Sequence, residues 1–196
     1  MKNKILLGLA ASSLVASAAL ADVYVGVEYG VASNTTEKEY TGLVNRTYDY
    51  DNNYKDIKLK VGAGEDGGVK LQGTLSFISY DETSFDKTNK DYIEFGLDLI
   101  KEFEVNKQFY PFIKGGMGVG AMDVEGYTED SILAVSFNLG AGLSFKATDN
   151  ISLLAGVDYV YRKWQDVENK FGWLGTVTRS TADSGIKPYI GVNFQF

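Results

Sequence analysis

Ten charged residues recur on alternate positions of otherwise small or apolar runs: Glu28, Lys58, Lys60, Lys70, Glu94, Asp98, Lys114, Asp158, Arg162 and Lys187. Period-two spacing puts them on one face of extended strands. If that face is enclosed, these four acids and six bases must pair, because unpaired buried charge is costly. Two kinds of chemistry follow: a salt-bridged filling, or a narrow path for ions. Catalysis is poorly served. The 196 residues include no His and no Cys. That removes the side chain whose ordinary titration lies nearest pH 7, and with it thiolate nucleophiles and metal ligands. Asp, Glu, Lys or Tyr could act as a base, yet no nucleophile–base constellation stands out. No enzymatic activity and no cofactor are expected.

Strands must position these charges. Eight segments alternate apolar and polar residues: Asp22–Ser33, Tyr54–Ala63, Val69–Tyr80, Asp91–Phe103, Phe109–Met122, Ile132–Lys146, Ile151–Gln165 and Ser184–Phe196. The sixth is clearest, with Leu133, Val135, Phe137, Leu139, Ala141, Leu143 and Phe145 against Ala134, Ser136, Asn138, Gly140, Gly142 and Ser144. The third and fifth are noisier. Each segment has about ten residues or more, longer than the usual five or six and enough for a tilted strand to cross a bilayer. Gly64–Gly68, Glu104–Gln108 and Ala147–Asn150 are short turns, whereas Asn34–Asn53, Asp81–Lys90, Asp123–Ser131 and Asp166–Asp183 are longer and polar. The two kinds alternate, so they occupy opposite ends of the sheet, with both chain ends at the short-turn end.

The first residues, "MKNKILLGLAASSLVASAALA", have two lysines, a short apolar run and a small-residue Ala-Leu-Ala ending. This predicts an exported chain with a signal peptide over 1–21 and a barrel domain over 22–196. Those 21 residues hold two of the 19 basic side chains and no acid, so 17 bases remain against 26 acids, a formal charge of −9. That excludes nucleic acid as a natural partner. No later apolar run is long enough for a transmembrane helix.

Alternation fits two barrels of opposite sense. A soluble lipocalin-like ligand carrier is apolar inside, and a membrane barrel is apolar outside. Eight strands leave room only for packed side chains inside. The polar face here is mostly Gly, Ser and Thr with a few long charges, which suits a cramped lumen. The other face is continuous Leu, Val, Ile and Phe, which suits lipid. Aromatic residues near strand ends predict two interfacial girdles: Phe103, Phe109, Tyr110, Phe145, Phe194 and Phe196 at the short turns, and Tyr80, Tyr92, Tyr159, Tyr161 and Trp164 at the long connections. The final stretch "KPYIGVNFQF" keeps strict alternation to its last residue. Closure of the last strand on the first would give Phe196 a place in the short-turn girdle.

Signal peptide, eight alternating strands, alternating loop lengths and the terminal "YIGVNFQF" together resemble the small outer-membrane β-barrels of the OmpA/OmpX type over the whole mature chain. The resemblance implies an all-β, eight-stranded antiparallel up-and-down transmembrane barrel in the outer membrane of a Gram-negative bacterium. It implies periplasmic termini, four loops outside, and no peptidoglycan-binding domain after the barrel. Ile190, Val192, Phe194 and Phe196 match the terminal pattern that the outer-membrane assembly machinery reads. The enzyme families with this architecture use an active-site histidine, which is lacking here. The remaining roles are structural or surface-interaction (membrane integrity or adhesion), or porin-like passive conduction of ions or small solutes. A monomer is expected, with outer-membrane lipid and lipopolysaccharide as partners. A host or surface ligand could meet loop aromatics such as Tyr48, Tyr50, Phe171 and Trp173. The loop acids Asp49, Asp51, Asp123, Glu125, Glu129 and Asp130 could bridge divalent cations to lipid phosphates or simply be solvated. Finally, a hairpin centred on Asn106 would set Asp98 directly opposite Lys114.

Overall fold

A computed structural model describes residues 22–42, 45–85, 89–124, 131–170 and 176–196. The signal peptide expected over 1–21 lies outside the described residues, as do Phe171, Trp173, Glu125, Glu129 and Asp130. Among the described residues ten strands follow in chain order: β1 (Val23–Thr41), β2 (Arg46–Asp51), β3 (Tyr54–Gly64), β4 (Val69–Tyr80), β5 (Asp91–Glu102), β6 (Phe109–Asp123), β7 (Ser131–Lys146), β8 (Ile151–Trp164), β9 (Val167–Lys170) and β10 (Thr176–Gln195). β1, β3 to β8 and β10 pair antiparallel in succession, and β10 pairs back onto β1, closing an eight-stranded barrel. Closure leaves no open edge within the barrel wall, as a lipid-spanning sheet requires.

The apolar face points out. Leu139 is 69% exposed, and Val135, Phe137, Ile113, Leu99, Ile190 and Phe194 are exposed with it. The charged face points in. The lipocalin-like alternative, with an apolar interior, is therefore not this molecule.

The short turns gather at one end with Val23 and Phe196. Asn150 donates from Nδ2 to the Gln195 carbonyl at 2.9 Å, and the Phe196 N–H reaches the Val23 carbonyl at 2.9 Å. Gly67 takes the left-handed φ of 70° that closes the β3–β4 turn, where Gly68 N–H meets the Glu65 carbonyl at 3.0 Å. Gly116 is small for a different reason: a methyl there would collide with the Asp98 carboxylate.

Three expectations fail. The stretches Asn34–Asn53 and Asp166–Asp183 are not simply loops. β1 runs on to Thr41 and β10 begins at Thr176, paired as far as Thr41 with Thr178. β2 and β9 flank this extension, giving a four-stranded sheet in the order β2-β1-β10-β9. Beyond the bilayer neither face needs to be apolar, so the strands continue without the hydrophobic alternation that marks them lower down. Second, the expected aromatic girdles are only partly outward: Tyr159 and Tyr161 are exposed, while Tyr80, Tyr92, Trp164 and Tyr110 are buried in the lumen. Parity decides this, since Tyr92 shares a face with Glu94 and Asp98, and Trp164 shares one with Arg162. Third, Asp98 stands opposite Gly116, and Lys114 opposite Ile100. Asn106 Oδ1 accepts from the Gln108 and Phe109 N–H groups, and Val105 pairs with Phe109, so the hairpin centres on residue 107. A one-residue shift of the centre moves the register by two and keeps every residue on its face.

Candidate functional site: the charged lumen

The barrel interior is stacked in layers. At the short-turn end Lys70 Nζ lies 2.9 Å from both Asp66 and Glu102, and Lys146 Nζ lies 2.6 Å from Asp66. Burial alone would raise the Asp66 carboxyl. Hydrogen bonds from Lys146 and Lys70 outweigh it and hold the group below its ordinary value. Next come Tyr24 and Tyr110, then a small cluster of Ile100, Phe112 and Tyr189.

The middle layer holds eight buried charges: Glu28, Asp56, Asp98 and Asp158 with Lys58, Lys60, Lys114 and Lys187. Glu28 is the hub, with carboxylate oxygens 3.5 Å from Lys60, 3.7 Å from Lys187, 3.9 Å from Lys114 and 4.0 Å from Lys58. Lys187 lies 2.5 Å from Asp56, and Lys114 lies 3.0 Å from Asp158. Asp98 instead accepts from Gln72 Nε2 and Asn138 Nδ2, each at 3.0 Å. Four negative and four positive charges make this layer formally neutral, which is what a low-dielectric interior demands. A cavity of about 10 Å³ beside Asp56, Asp158, Asn138 and Arg162 has room for about one water.

Above it lies Arg162, which ties strands together. It is 3.2 Å from Glu94 and 3.8 Å from Asp183, donates to Tyr80 OH at 2.6 Å, and stacks 4.8 Å over Tyr92. Asp183 also accepts from Thr36, Tyr80 and Trp164, each at 2.8 Å. An aromatic cap of Tyr54, Tyr80, Tyr92, Trp164 and Phe85 closes the long-connection end. Asn52 anchors the segment bearing Phe85, donating to Ser84 Oγ at 3.0 Å and accepting from the Glu82 N–H at 2.9 Å.

All ten charges chosen from the sequence face the lumen, nine of them buried and Glu94 half-buried. Arg162 meets Glu94, and Lys187 lies 3.9 Å from Asp158. Sequence reasoning passed over Asp56, Glu102 and Asp183. Asp56 and Glu102 have the parity of Lys58 and Asp98 and were legible. Asp183 has the parity of Lys187 but precedes the segment marked from Ser184.

A sequence model of the outer membrane protein beta-barrel domain matches residues 5–177. The chain belongs to this family. No curated protein sequence matches it. Among solved structures it resembles OprG from Pseudomonas aeruginosa (TM-score 0.61, 8% identity, 90% of this chain and 96% of that one). It also resembles AlkL in lipid bilayers (0.53, 16%, 90% and 90%) and Neisserial surface protein A (0.51, 15%, 89% and 97%). At such identities the likeness is one of fold. The protein is an outer-membrane β-barrel of the Gram-negative kind, so its apolar belt meets membrane lipid.

In this outer-membrane barrel, Ile190, Phe194 and Phe196 are exposed on the lipid side and Val192 is half-exposed. Tyr48 is exposed at the far end of the long-connection sheet, and Tyr50 is half-buried. Asp49, Asp51 and Asp123 are exposed, and among the described residues no group of three or more candidate ligands is arranged for a metal.

Proposed function

We propose that this barrel is a non-enzymatic, non-conducting membrane scaffold that displays its long-connection end at the cell surface, serving membrane integrity or adhesion. The observation that carries this reading is the filled lumen: a neutral eight-charge layer between aromatic layers, with a cavity of about 10 Å³. Ion passage needs a continuous water path, and here the charges neutralise one another instead of lining one. The porin-like alternative would require the Arg162–Glu94–Asp183 cluster and the aromatic cap to move together. On this reading residues 1–21 are a signal peptide removed on export, the terminal Ile190–Phe196 pattern is read by the assembly machinery, and the barrel works as a monomer in contact with lipopolysaccharide. Planar-bilayer recording tests the reading. Purified protein should add no conductance steps, and regular unitary openings would replace it with the channel.

A further inference from the structure

Above the barrel, strands β1 and β2 sort their charge by face. In β1 and β2, Glu37, Glu39, Asp49 and Asp51 point to one side, and Lys38, Tyr40, Arg46, Tyr48 and Tyr50 point to the other. The second side is the lumen-facing one, continuous with buried Thr36, Thr181 and Asp183. Glu37 even stands directly opposite Asp49, a like-charge pairing that costs stability. Two residues of shift in either strand would leave the sorting intact, so the segregation comes from the sequence itself.

The cations on the lumen-facing side have aromatic neighbours. Lys38 Nζ sits 4.7 Å over the Tyr50 ring, Arg46 Nη1 donates to Tyr48 OH at 3.2 Å, and Tyr40 and Tyr48 meet edge to face at 6.0 Å. Among the described residues no carboxylate lies within ion-pair distance of Lys38 or Arg46. Burial and the nearby Arg179 guanidinium both lower the pKa of Lys38, so an incoming anion would favour its charged form. In a protein with seven more acids than bases, cations without a carboxylate partner, set among tyrosines with Arg46 and Tyr48 exposed and Lys38 and Tyr40 half-buried, are a selective surface.

We propose that this face binds a polyanionic glycan, with sulfate or carboxylate groups on Lys38 and Arg46 and sugar rings against Tyr40 and Tyr48. Charge-assisted hydrogen bonds hold the anion, and rigid tyrosine rings supply contact area at low entropic cost. The acidic opposite face repels the same polymer, so only one side is occupied. The proposal rests on the surface-display reading and names its partner class.

The test uses the full barrel in zwitterionic nanodiscs, with fluorescent dextran sulfate, hyaluronate, neutral dextran and poly-glutamate as probes. Dextran sulfate or hyaluronate should bind in a salt-sensitive way, and neutral dextran should not. The double variant Lys38→Glu/Arg46→Glu should weaken binding by about tenfold or more, the equivalent of about one charged contact. Tyr48→Ala should weaken it by a smaller factor. Lys163→Glu, which alters a cation on the outward side, should leave it within about twofold. Heat-modified gel mobility checks that each variant is folded. No binding at low salt, equal loss in Lys163→Glu, or poly-glutamate binding as tightly as the glycans would overturn the proposal. A glycan result of either sign leaves the non-conducting reading to the bilayer recording.

Discussion

The lumen and the sheet above it share strands β1 and β10 and handle charge in opposite ways. Inside the barrel, acids and bases share one face and pair with each other. Above the barrel, β1 and β2 put acids on one face and bases on the other, and leave them apart. The cause is the surrounding medium. A charge removed from water must find a partner, and at about 4 Å an attraction worth roughly 1 kcal/mol in bulk water grows several-fold in a protein interior. A charge in water needs no partner and is available for one. The lumen charges are therefore committed to one another, and Lys38 and Arg46 of the upper sheet are not committed to a carboxylate.

This contrast can be broken most sharply at Glu28. Glu28→Gln removes the hub and leaves four lysines with too little negative charge. Urea-driven unfolding in detergent should show a loss of about 3–5 kcal/mol, the usual cost of breaking a buried ion pair from one side. An unchanged midpoint would mean that the lumen is hydrated. Leu139→Arg tests the lipid side of the same wall and should cost about 2–4 kcal/mol in a vesicle refolding titration. Tolerance of arginine there would invert the face assignment.

Smaller effects sharpen the boundary. Asp66 has a lowered pKa at the half-exposed short-turn end. Its contribution is present above its unfolded pKa and is lost as pH falls through the lower folded value. Wild type and Asp66→Asn should therefore differ near neutral pH and converge on strong acidification, below about pH 4. A gap that persists in acid would assign the effect to packing. Smallest of all, Glu37→Gln in the upper sheet should change stability by no more than about 0.5 kcal/mol, and in the stabilising direction, because it relieves the pairing with Asp49. A clear loss would mean that the acidic face has a structural partner.

Much of this was legible in the sequence. Period two located the barrel strands, and face parity sent Glu28, Lys58 and Arg162 inward. Side-chain capture of turn geometry was not legible. Asn106 caps two backbone N–H groups in a hairpin centred on residue 107, and the register there sets Asp98 two residues away from Lys114. The upper sheet was hidden because its strands lack an apolar face to announce them. Tyr92 and Trp164 lie near strand ends, where aromatic residues favour the interface, yet their parity turns them into the lumen, and parity is the stricter constraint.

The most direct measurement uses the absence of native cysteine. Ser136→Cys puts a near-isosteric thiol on the buried side of β7 beside the lumen cavity, and Thr47→Cys puts one in the exposed upper sheet. A water-soluble, cationic methanethiosulfonate reagent should label the folded Thr47→Cys variant promptly, and the Ser136→Cys variant only after urea unfolding. Prompt labelling of the folded Ser136→Cys barrel would contradict the filled lumen, and with it the non-conducting reading.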